Sequence, residues 1–294
     1  MSLSEHAIPA RPAPLAGLRG IAFHLALPRR PGLLLAGLFA ALLVLASLEP
    51  AWLVRGDPLA ASARDAFLPP SASHWLGTDE NGRDVLTRLV HGARASLLMG
   101  LAATAIGLVG GVALGLVAGL GQRWLDAAIM RFVDVLMAFP DLLLALVIIT
   151  FWGQGLLNAV VAVGIAAVPR FARMVRAQTL LVRQAAYVEA AVTLGLPKAL
   201  VILRHVLPNA MRPVLILAAL GIGGSIAAGA SLSFLGFGAP PPSPEWGSML
   251  SVGRNFLANA WWLVAAPGLT VTLTVVAITA LGRALLRHNE GKTA

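Results

Sequence analysis

Apolar residues in this chain come in long runs rather than in the short periodic stripes of a water-soluble protein. Six runs approach or exceed the roughly 20 residues a helix needs to cross a bilayer. They lie at 32–54, 96–120, 132–152, 155–170, 213–237 and 262–286, the fourth being short. Polar residues fall between the runs, and the longest polar stretch, 171–212, separates the fourth run from the fifth. The pattern predicts an all-α membrane protein of about six transmembrane helices. The expected organisation is a tail at 1–31, a first helix at 32–54, an outer segment at 55–94, a transmembrane domain at 95–286 and a short tail at 287–294. The first run follows Arg29 and Arg30 and has a weak cleavage-like Val44-Leu45-Ala46, but its length favours an uncleaved anchor. The tail before it, with Pro9, Pro12, Pro14 and Pro28, is expected to be poorly ordered.

Composition agrees with this class. Of 294 residues 58% are apolar and 12% charged, about half the charge of an ordinary soluble domain. Mean hydropathy is +0.81. The absence of cysteine removes disulfides, thiolate metal sites and cysteine catalysis. A net charge of +9 would suggest nucleic acid in a soluble protein; here the placement of the charge matters more. With the N-terminus inside, sixteen Lys and Arg lie on inner segments and six on outer ones. The positive-inside rule therefore puts both termini and the 171–212 loop in the cytoplasm.

Local signals divide that loop. Phe171 to Leu194 has no Pro or Gly and reads as helix. Gly195 suits a left-handed helix end. Pro197 fits the first position of a second helix, and Pro208 predicts another break before the fifth span. A helix–turn–helix between two spans suits a lever that moves both. Small residues recur every four positions in the second span (Gly107, Gly111, Gly115, Gly119) and the fifth (Gly221, Ser225, Gly229, Ser233). Such stripes allow close helix packing, or sliding between helices during gating.

The run Glu189-Ala190-Ala191, with Gly195 four residues on and Leu207-Pro208 twelve further, resembles the EAA loop of binding-protein-dependent ABC importer permeases. Arg204-His205-Val206-Leu207-Pro208-Asn209 resembles the peptide-importer version of that loop. Two further segments are similar to the dipeptide/oligopeptide/nickel group. One is His74-Trp75-Leu76-Gly77-Thr78-Asp79-Glu80-Asn81-Gly82-Arg83-Asp84, ahead of the second span. The other runs from Ser231-Leu232-Ser233-Phe234-Leu235-Gly236 to Pro244-Glu245-Trp246-Gly247. The resemblance covers roughly 74–270 and implies a type I ABC importer transmembrane domain in the inner membrane of a prokaryote. It implies a second, homologous permease subunit, two ABC ATPase subunits carrying ATP and Mg, an extracytoplasmic substrate-binding protein and surrounding membrane lipid. It further implies that Glu189, Ala190, Ala191, Gly195, Arg204, His205, Leu207 and Pro208 meet the ATPase.

Charges near or within spans are functional flags, here Asp141 and, near the inner end of the third span, Asp134. Asp141, after Pro140, is read as lining the pathway, as capping the helix that restarts there, or as pairing with an arginine of another chain. Arg83 and Asp84 are read as part of a docking surface for a substrate-binding protein or of an outer gate, or as a solvated loop with local ion pairs, Thr78 or Asp79 capping a short helix that starts near Glu80. Trp246, Trp261 and Trp262 suit the membrane–water interface. His74 and His91 are too far apart for a simple metal pair, so no metal site is expected. Gly291-Lys292-Thr293 lacks the earlier glycine and the following helix of a phosphate loop. No enzyme chemistry and no cofactor are therefore expected in this chain, and no nucleic-acid partner. The alternative reading is an ion-coupled secondary transporter, for which inverted repeats would be the sign.

Overall fold

A computed structural model describes residues 31–289, all of them in helices, turns and loops apart from one isolated β-bridge between Thr78 and Asp84. The expectations for the tail before residue 31 and for 290–294 lie outside the described residues. The helices are α1 (Pro31–Leu48), α2 (Val85–Leu120), α3 (Arg123–Met137), α4 (Asp141–Trp152) and α5 (Leu156–Arg183). They continue with α6 (Ala186–Thr193), α7 (Lys198–Val201), α8 (Leu207–Phe234), α9 (Trp246–Gly253) and α10 (Trp262–Asn289). Five helical stretches are long and apolar enough to cross a membrane: α1, α2, α5, α7 through α8, and α10. The bent pair α3–α4 makes a sixth if it is one span.

The runs and the helices differ in four instructive places. The first helix stops at Leu48, six residues early, because Pro50 opens a 3-10 turn. The second begins at Val85 rather than 96 and reaches 36 residues, so it projects beyond the bilayer at one end or both. The third run is not one straight helix: it bends by 93° between α3 and α4. Pro140 explains the bend, since it lacks an N–H, clashes with the preceding turn and disfavours helix at Phe139. The fourth run does not end at 170; α5 continues to Arg183 as one 28-residue helix.

The core forms around α2 and α5, which share the most extensive helix–helix interface. They run parallel, since Gly107, Gly111, Gly115 and Gly119 meet in order Ala167, Phe171, Val175 and Thr179. A Cβ on Gly111 or Gly115 would run into Phe171, Ala172 and Val175. The small-residue stripe of α8 packs as well: Gly229 sits on Met99, and Gly221 on Phe171. The Ser225 hydroxyl accepts a hydrogen bond from Thr104 at 2.9 Å. α10 covers the other side of α8, with Gly223 against Val275 and Thr279.

Candidate functional site: an exposed helical knob and its supports

The break inside 171–212 comes earlier than the residues suggested. α5 ends at Arg183, Gln184 and Ala185 turn the chain, and α6 restarts at Ala186. α6 closes on Gly195, whose φ of +79° is the left-handed conformation that ends a helix with least strain in glycine. The Leu196 amide reaches back to the Ala191 carbonyl at 3.2 Å. Pro197 stands one place before α7 rather than at its first position. Pro208 does not break the chain: a π-helical turn, Ile202–Val206, joins α7 to α8, and Pro208 is the second residue of α8. The widened turn accommodates the residue that cannot donate.

These pieces fold as one knob. Val188, Ala191, Val201 and Val206 are buried together, backed by Leu120 at the end of α2 and Val182 near the end of α5. Ala191 thus points into the knob, whereas Glu189 and Ala190 are exposed. Arg204 and Pro208 are also exposed; His205 and Leu207 are half-buried. The His205 ring stands 6.5 Å from that of Tyr187, and its carbonyl accepts from the Asn209 side chain at 2.7 Å. Leu194 is 80% exposed, next to exposed Val192 and Tyr187. Of the residues singled out in the sequence, Glu189, Ala190, Gly195, Arg204 and Pro208 thus lie on the outside of the knob, Ala191 lies in its core, and His205 and Leu207 lie between.

A ladder of ion pairs braces α5 behind the knob. Arg176 makes a two-point contact with Asp126, its second bond being 2.6 Å. Arg173 pairs with Asp134, and Arg170 with Asp141 at 3.7 Å. The Arg183 guanidinium donates to the Gly119 carbonyl at 2.9 Å. Asp141 is the first residue of α4, and within this chain it faces Arg170. The pair opens onto a groove between α4, α5 and α8, walled by Ala145, Val163, Ala167, Gly224 and Ala228. Apart from Asp134 and Asp141, reading the sequence passed over this ladder. The signal was there in three arginines at i, i+3 and i+6 of one helix.

Arg83 and Asp84 belong to a different place. No helix starts near Glu80. Instead Asp84 caps α2, accepting from the Thr87 amide at 2.8 Å, and meets the His74 ring at 3.0 Å. Asp79 accepts from the amides of Asn81 and Arg83 and holds two buried guanidinium groups, Arg83 at 2.9 Å and Arg88 at 3.4 Å. Arg88 also reaches the Pro58 carbonyl, fastening the segment ahead of α2 to that helix. Trp246 and Trp262 are buried within the protein. Their indole N–H groups donate to the Leu89 and Thr78 carbonyls, which leaves Trp261 as the exposed one of the three.

Glu245 was not singled out either. It is 1% exposed and caps α9, accepting from the Gly247 and Ser248 amides at 2.8 Å each. Burial pushes its carboxyl above the usual range, against the pull of those two amides and the Ser233 hydroxyl.

Comparison with known proteins agrees with this geometry. Residues 111–293 match the family "Binding-protein-dependent transport system inner membrane component". The chain is 43% identical over 216 residues to the dipeptide transport system permease protein DppC of Alkalihalophilus pseudofirmus, covering 74% of this chain and 71% of the relative. It is 37% identical over 282 residues to the probable D,D-dipeptide transport system permease protein DdpC of Escherichia coli K12, covering 96% and 95%. Among solved structures, a subunit of the inward-facing MetNI methionine ABC transporter superposes with a TM-score of 0.57 at 20% identity, over 68% of this chain and 95% of that one. A subunit of an amino acid ABC transporter superposes with a TM-score of 0.55 at 16% identity, over 69% and 94%. The fold is thus that of ABC importer transmembrane subunits, and the chain belongs to the family of binding-protein-dependent transport system inner membrane components.

Proposed function

We propose that this chain is one permease subunit of an ATP-driven importer of peptides or a related small solute. It pairs with a second, homologous permease; two ATPase subunits bind ATP and Mg, and an extracytoplasmic binding protein delivers the cargo. The observation that carries the reading is the knob of α6, α7 and the π turn. It offers Tyr187, Glu189, Val192 and Leu194 outward while its own core is seated on α2 and α5. A partner that presses on this patch moves α5 on one side and α8 on the other, because the π turn carries α7 into α8 as one continuous helical stretch.

In this reading the knob is cytoplasmic, with both termini on the same side, and nucleotide-driven closure of the ATPases switches the spans between inward- and outward-facing states. The groove beside Asp141 and Arg170 is the candidate pathway wall, where a carboxylate and a guanidinium face polar cargo. Arg83 and Asp84 act by keeping the outer segment in place. The peptide assignment rests on the names of the relatives. The ion-coupled alternative loses its ground once the family is fixed.

The test is a pull-down of this chain from native membranes in mild detergent, followed by mass spectrometry. Recovery of two ATPases and a second permease is the expected result. Repeated recovery of the chain alone would overturn it.

A further inference from the structure

α3 lies across the bundle rather than along it. Asp126 and Asp134 are eight residues apart, about 12 Å along α3, yet they pair with Arg176 and Arg173, only about 4.5 Å apart along α5. The 93° bend to α4 says the same. α3 joins the end of α2 to the start of α4, so it lies on the side of the membrane where the knob stands.

The side chains of α3 sort by face. At 100° per residue, Asp126 and buried Val133 turn to the protein. Roughly opposite, Trp124 is 67% exposed, Phe132 59% and Val135 60%, with Ala128 between them. Arg131 borders that face, and Arg123 starts the helix. The apolar face continues through exposed Phe139 into Leu143, Val147 and Phe151, at four-residue spacing along α4. A cross-lying helix with aromatic and aliphatic residues on its outer side, arginines at its edge and continuity with a membrane span has the make-up of an interfacial helix.

We propose that α3 lies in the headgroup–acyl boundary of the bilayer, its outer face taking lipid chains and its Arg123 and Arg131 meeting lipid phosphates. The occupant of this face is lipid, not the ATPase. Clamped to α5 by Asp126–Arg176 and Asp134–Arg173, α3 sets the level of α5 and hence of the knob relative to the membrane. The inference needs only the membrane spans; it stands or falls separately from the coupling role of Glu189.

The chain contains no cysteine, so an introduced cysteine is its one labelling site. Spin labels would be placed at F132C, V135C and R131C in the assembled transporter in phosphatidylcholine/phosphatidylglycerol nanodiscs. Collision with molecular oxygen, which is enriched in the acyl region, is compared with collision with a water-soluble nickel chelate. The expected result is at least a several-fold excess of oxygen over nickel collision at 132 and 135, at a depth of about 5–10 Å below the phosphates, reversed at 131. Nickel collision at 132 and 135 equal to that at 131 would overturn the proposal by placing the face in water. Shielding of 132 and 135 from both reagents would overturn it by seating a protein there.

Discussion

Glu245 shows how one residue can hold a piece of structure at a cost. Its carboxylate closes the N-terminus of α9 and, with burial raising its folded pKa, the native state binds a proton that the unfolded chain releases at the same pH. Native stability therefore falls as pH rises from the unfolded carboxylate value through the raised folded one. Thermal unfolding of the wild type against pH should show that decline, and Glu245→Gln should flatten it; an identical slope in the variant would contradict the assignment. Asp126 and Arg176 form the least exposed rung of the α5 ladder. Removing either should cost about 1 kcal/mol, and a double-mutant cycle on Asp126→Ala and Arg176→Ala should give a coupling energy of similar size. A coupling near zero would make the rung ornamental. On the knob, Glu189→Lys should leave insertion intact and separate ATP hydrolysis from uptake; normal uptake by the well-expressed variant would remove Glu189 from coupling. Among these residues, Gly195 was legible as a left-handed helix end because a turn requirement is local, whereas the role of Glu189 rests on motif spacing and on the test above. Asp126 and Glu245 were not legible. One pairs across fifty residues, and the other is an isolated acid between Pro244 and Trp246 whose burial depends on the packing of α9 against α8.

At the scale of elements, apolar length located the spans but not their shape. The run 132–152 satisfies the length criterion whether straight or bent, and only the steric effect of Pro140 separates the two. Conversely, Arg170 looked like the end of a span because a charge follows an apolar run. It is the interior of α5, since Asp141, Asp134 and Asp126 supply partners for three successive arginines. Pro208 misled for a related reason: a π turn beside it absorbs the missing donor. The glycine stripe of α2 was legible as a packing face, and the structure supplies its partner, α5. Gly111→Leu should overpack that parallel interface by about 1–3 kcal/mol or more, read as a lowered unfolding temperature and a loss of folded protein in detergent. Gly224→Ala, where a Cβ meets nothing within 4 Å, is the control expected to behave like the wild type. Equal stability of the two variants would show that the α2–α5 approach is not tight.

Across the whole molecule the two ends are built differently. At one end, Asp79, Arg88 and Trp262 pin the segment ahead of α2 to the ends of α2 and α10, and Trp246 ties α9 to α2. At the other, α6 and α7 stand free on the tips of α2 and α5, with their most exposed apolar side chain at Leu194. A molecule with one fastened end and one presented end is suited to transmit a push from the presented end through α5 and α8, which flank the groove at Asp141 and Arg170. The central claim is that a nucleotide-hydrolysing partner applies that push at α6. The most direct test is a photo-cross-linking amino acid at Leu194, activated in native membranes with the complex intact. The account predicts an adduct between this chain and an ATPase subunit. Adducts with lipid or with an extracytoplasmic protein, and none with an ATPase, would contradict it.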